Sequence, residues 1–124
     1  MYAVIFEVWP TKDGKEEYLK IASTLKEFLK NREGFISIER FQSLVDENKL
    51  LSLSFWEDEK AIEIWRNLFE HRIAQDKGNG GIFEDYRIRV AKVQRDYTKK
   101  DRNQAPKDSN EHRISNLKSQ DFKR

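Results

Sequence analysis

The chain has 124 residues, no cysteine and a net charge of +2. That length fits one domain with room for a tail, and the missing thiols exclude disulfides, thiolate nucleophiles, iron–sulfur clusters and cysteine-ligated zinc. The charge divides unevenly: beyond Tyr97 the cations Lys99, Lys100, Arg102, Lys107, Arg113, Lys118, Lys123 and Arg124 outnumber the anions Asp101, Asp108, Glu111 and Asp121, which leaves the body mildly acidic. Such a body lacks the clustered basic face that nucleic acid requires. No apolar run is long enough to cross a bilayer, so neither nucleic acid nor membrane is expected as a partner. The N-terminal residues read as a strand rather than a leader, and a cytoplasmic location is the expectation.

Residues 2 to 9, Tyr-Ala-Val-Ile-Phe-Glu-Val-Trp, are rich in β-branched and aromatic types and predict a first strand. Pro10 to Gly14 is a turn cluster. From Lys15 to Asn31 the apolar residues Tyr18, Ile21, Ala22, Leu25, Phe28 and Leu29 recur at spacings of three and four, the period of a helix buried along one face. Gly34 suits the left-handed turn that follows such a helix.

Phe35 to Phe41 and Leu50 to Trp56 predict two strands joined by the polar turn Val45 to Lys49, a hairpin. Asp58 is a natural N-cap for a second helix whose inward stripe is Ala61, Ile62, Trp65, Leu68 and Phe69. Residues 77 to 81, Lys-Gly-Asn-Gly-Gly, break that helix, and a last strand is expected from about Tyr86 to Tyr97. The order is β-α-β-β-α-β, an α+β ferredoxin-like plan with a four-stranded antiparallel sheet. Both helices then cover one sheet face. Apolar residues occur on both parities of the first and last strands, so the open face predicts a homodimer. The domain is placed at 1–97. Residues 98–124 form a polar, basic tail in which Ile114, Leu117 and Phe122 stand out, expected to be disordered or an arm across a partner subunit. Trp9 and Trp56 are expected at the rim of the sheet.

Several of these pieces occur in a familiar order: Val4-Ile5-Phe6-Glu7-Val8, then Glu33-Gly34-Phe35, then Leu53-Ser54-Phe55-Trp56-Glu57-Asp58-Glu59 leading to Ala61 and Trp65, then His71-Arg72. In that order the chain resembles the antibiotic biosynthesis monooxygenase family of dimeric α+β barrels over about residues 1 to 97. The resemblance implies oxidation of electron-rich phenols or quinols by dioxygen without a cofactor. It also implies a site in which the helix tryptophan is Trp65, the proton-handling group His71 and the arginine Arg87. A supporting asparagine of the family falls on Ala61 here. The haem-degrading members need a first-strand asparagine and a histidine ten residues past the tryptophan; Phe6 or Glu7 and Gln75 stand there, which disfavours haem.

Dioxygen is a triplet and reacts slowly with closed-shell molecules, so a cofactor-free oxygenase must first ionise its substrate inside an apolar pocket. His71 is the candidate base, Arg87 or Arg72 the phenolate partner, and Trp65, Phe41 and Phe55 the stacking surface, with Tyr86 as a further pocket residue. Trp65 and His71 are thereby expected to border one hollow able to take a small aromatic or quinone. Two histidines so far apart offer no metal constellation, and no phosphate-cradling glycine motif is present. The competing expectation is a non-catalytic dimeric barrel that binds a small apolar ligand.

Overall fold

The computed structural model describes residues 1–75 and 81–112. Up to Lys92 the elements follow one another as β1 (Tyr2–Pro10), α1 (Gly14–Leu29), β2 (Phe35–Gln42), β3 (Leu50–Trp56), α2 (Glu59–Gln75) and β4 (Phe83–Lys92). The sheet order is β2-β3-β1-β4, with every neighbouring pair antiparallel. This is the α+β ferredoxin-like arrangement that the sequence predicts.

Period-two alternation assigns the faces. Val4, Phe6 and Val8 of β1 are fully buried, as are Ser54 and Trp56 of β3. Residues opposite one another in an antiparallel pair share a face. The register Tyr2↔Trp56, Val4↔Ser54, Phe6↔Ser52 and Val8↔Leu50 therefore sets one side of the sheet toward the helices. Phe6 is the centre of that side: its ring meets Tyr18 of α1 and Trp65 and Phe69 of α2 in edge-on contacts. Trp56 is 1% exposed, and its indole donates to the Ser54 hydroxyl at 2.8 Å. It is thus a central core residue rather than part of the rim, because its parity on β3 is that of the buried serines.

The other face carries Ala3, Ile5, Glu7 and Trp9 opposite Phe55, Leu53 and Leu51 on one side and Ala91, Arg89, Arg87 and Asp85 on the other. Glu7 pairs with Lys49 at 2.6 Å and with Arg89.

Local signals account for the joins. The Ala61 amide donates to the Asp58 carboxylate at 2.9 Å, the N-cap that opens α2. Gly34 has φ +87°, and a Cβ there would stand 2.7 Å from the Ala61 Cβ. Its carbonyl accepts the Glu57 amide at 2.8 Å, which ties the entry of β2 to the exit of β3. The last strand starts at Phe83, earlier than predicted, because residues 83 to 85 pair with Pro10 and Trp9. It stops at Lys92, opposite Tyr2, where β1 runs out of partners.

The described residues divide into two compact units, one up to Lys92 and the other from Val93 on. In the second unit, Arg102 is a local hub. It donates to Asn110 at 3.1 Å and Ser109 at 2.7 Å and lies over the Tyr97 ring, 4.8 Å from its centroid. Residues 107–112 are helical. The loop glycines Gly78 and Gly80, the Gln75 side chain, and Ile114, Leu117 and Phe122 lie outside the described residues.

Candidate functional site

The helix–sheet interface encloses an aromatic cluster. Trp65 is 3% exposed and stacks on Phe69 with centroids 5.4 Å apart and planes 12° apart. Phe6 crosses both rings edge-on, and Tyr18 meets Phe6 at 6.5 Å and Phe83 at 5.3 Å. The stacking follows from helical geometry, since positions four apart return to the same face.

Beside this cluster lies a crevice lined by Phe6, Tyr18, Ser52, Trp65 and Phe69, with Arg40 of β2 and Lys26 of α1 completing it on the cationic side. Arg40 enters it because Ile38 and Arg40 share the helix-facing parity of β2, where the register sets Arg40 opposite Ser52. One guanidinium nitrogen of Arg40 donates to the Ala22 carbonyl at 3.4 Å. Its Nε is buried and has no hydrogen-bond partner, an arrangement that costs free energy unless something accepts that hydrogen. Burial pushes the Tyr18 phenol above its usual value, and the charge and hydrogen bonding of Arg40 oppose that shift without cancelling it. Tyr18 is therefore a neutral O–H donor at physiological pH. The crevice holds about 10 Å³, room for a single water at most.

The residues expected from sequence divide between the two faces. Trp65 is in the crevice. Tyr86 is on the same side of the sheet, opposite Val8, with its ring 5.7 Å from Phe6. Arg87 is opposite Glu7, and Phe41 and Phe55 share that outer face through their pairing with Leu51 and Ala3. None of these three reaches the crevice, since strand parity sends each to the other side. Phe41 instead borders a shallow groove of about 330 Å³ with Ile5, Glu7, Lys49 and Leu51.

His71 and Arg72 are exposed. Six residues of α-helix set His71 about 120° round the axis from Trp65. The two rings therefore diverge, and the crevice lining contains no His71. The shared hollow expected between them is absent among the described residues. In its place the structure brings together Trp65, Tyr18 and Arg40. Tyr18 is legible in the sequence only as a member of the α1 stripe. Arg40 has one available signal, a cation on the core-facing parity of a strand.

Among the described residues no group of three or more His, Cys, Asp or Glu could hold a metal ion, and no helix is long and apolar enough to cross a membrane.

The model of the family described as antibiotic biosynthesis monooxygenase matches residues 1–77. The chain is 46% identical over 93 residues to jasmonate monooxygenase ABM of Pyricularia oryzae, a match covering 75% of this chain and 43% of that protein. It thus spans less than half the length of that relative. It is 31% identical over 94 residues to the uncharacterized protein YqjZ of Bacillus subtilis, covering 76% of this chain and 80% of that one. A conserved protein from Methanosarcina mazei Go1 has the same fold, with a TM-score of 0.63 at 17% identity over 75% of this chain and 92% of its own. By the family match and the identity to these relatives, the chain belongs to the antibiotic biosynthesis monooxygenase family.

Proposed function

We propose that this chain is a cofactor-independent monooxygenase that oxidises a small phenolic or quinol substrate with dioxygen in the crevice between the helices and the sheet. The observation that carries this reading is the unpartnered Nε of Arg40, buried beside the Tyr18 hydroxyl and the Trp65–Phe69 stack. A phenolate gives up an electron to dioxygen far more readily than a phenol. A guanidinium whose Nε is shut off from water stabilises that anion more strongly than a solvated one would. Trp65, Phe6 and Phe69 offer flat apolar surface for the ring, and Tyr18 supplies a proton-bearing hydroxyl to a developing oxygen anion. One oxygen atom enters the product and the other leaves as water. Both electrons for that water come from the substrate and its two protons from the substrate and solvent, the solvent returning any proton lost on ionisation, so no external reductant is consumed. Entry of a guest requires Lys26 and Arg40 to swing aside at the solvent edge.

A homodimer across the open sheet face, with the segment after residue 97 as an arm against the partner, belongs to the same proposal; the apolar Ile5, Leu51, Leu53 and Phe55 on that face support it.

A second reading, a non-catalytic barrel binding a small apolar ligand, is favoured by the near-filled crevice. The open-face groove beside Phe41 is where such a ligand would lie. An oxygen-uptake screen with quinols, naphthols and jasmonate separates the two. Uptake together with incorporation of labelled oxygen into product supports the monooxygenase. Tight binding across the panel with no uptake supports the carrier.

A further inference from the structure

The lining of the crevice has a one-sided charge. Its polar members are Tyr18 and Lys26 of α1, Arg40 of β2 and Ser52 of β3, and the rest of the lining is apolar. Two cations face the space with no carboxylate and no imidazole, so nothing in the lining can accept a proton at neutral pH. A phenol that ionises only in strong base would find no group to take its proton. An anion formed in solution would instead meet the free Nε–H of Arg40 and the ammonium group of Lys26. Charge-assisted hydrogen bonds of this kind are about twice as strong as neutral ones, and the guanidinium fork is already desolvated at Nε.

We propose that the site takes its substrate already ionised, selecting the class of acidic phenols and enols that exist as oxyanions near neutral pH, with Arg40 as the residue that reads the charge. This rests on the reading of the crevice as the substrate site. Ionisation is then a property of the ligand shifted by the site, not a step performed by a protein base.

The test uses 4-nitrophenol, which ionises near neutral pH, and 4-nitroanisole, its neutral methyl ether of nearly the same shape. Binding to the full chain is titrated by calorimetry, and the yellow nitrophenolate band reports the ionisation state of the bound phenol. The expected result is that nitrophenolate binds roughly tenfold or more tightly than the ether, the factor one charge-assisted hydrogen bond supplies. The bound phenol should also ionise at lower pH than the free one. Arg40→Gln should abolish both effects and Arg40→Lys should restore them in part, while Trp65→Phe weakens both ligands alike.

Equal affinity for the two ligands, or a bound phenol that ionises at higher pH than the free one, overturns the anion selectivity. If Trp65→Phe still weakens binding in that case, the crevice stands as the ligand site and only the substrate class falls. Binding that neither Arg40→Gln nor Trp65→Phe alters, or no binding of either ligand, overturns the crevice assignment itself and the proposal with it.

Discussion

The indole of Trp65 lies nearly parallel to the ring of Phe69, 5.4 Å centroid to centroid, and both press edge-on against Phe6 at the middle of the sheet. That triplet joins α2 to β1 and walls the crevice, so it supports stability and site geometry together. Trp65→Ala should cost roughly 3–5 kcal/mol by removing a large buried aromatic. Trp65→Phe should cost much less, because the stack on Phe69 survives. Urea unfolding followed by circular dichroism distinguishes the two.

Gly34 is fixed by two demands at once: its φ of +87° and the 2.7 Å separation of a virtual Cβ from that of Ala61. A side chain would be strained in the backbone and would collide with the first turn of α2. Gly34→Ala should therefore destabilise by more than the roughly 1 kcal/mol typical of a left-handed site alone. The melting temperature, set against that of a Gly81→Ala variant with the same positive φ but open space around it, isolates the steric part.

The cap at Asp58 is separable from packing. Its carboxylate receives the Ala61 amide at 2.9 Å, and Asp58→Ala should lose about 1 kcal/mol. Asp58→Asn should recover most of it, since an amide oxygen accepts the same hydrogen bond. Denaturant midpoints of the three proteins test this order.

Glu7 contributes a pH dependence. A hydrogen bond from Lys49 holds its carboxyl below the usual carboxylate range, aided by the charge of Lys49 and by Arg89 and opposed by desolvation. The folded carboxyl ionises more readily than the unfolded one. Its stabilising contribution is thus complete above the unfolded value and is lost as pH falls through the folded one. Glu7→Gln removes that contribution, so wild type and variant should differ at neutral pH and converge in acid. Urea midpoints at both conditions measure the gap, and a gap that widens in acid contradicts the ion-pair assignment.

The fold was readable because its signals are local and redundant. The α1 stripe, the Asp58 cap and the alternation of Leu50 to Trp56 each point to one element, and together they leave one order of strands and helices. The candidate site was harder because its members come from different elements with different periods. His71 is six positions from Trp65, and on a helix that spacing separates side chains instead of joining them. Arg87 alternates with Ile88, and the parity that sets Ile88 opposite Phe6 sends Arg87 to the outer face opposite Glu7. Arg40 carried a real signal, its shared parity with Ile38, but an arginine on an edge strand reads as solvated until α1 is seen to lie across it. Tyr18 could not be told from an ordinary core aromatic without knowing that the guanidinium stands beside it.

The most direct test of the central claim is oxygen consumption with a turned-over phenolic or quinol substrate, measured for the wild type, Arg40→Gln and His71→Ala. A site built on Trp65, Tyr18 and Arg40 predicts that kcat/KM falls by about 10²-fold or more in Arg40→Gln, the scale of a lost anion-stabilising donor, while His71→Ala stays within about twofold, the range expected of an exposed substitution. Loss of turnover in His71→Ala with Arg40→Gln unimpaired would contradict the account and return the chemistry to the exposed face of α2.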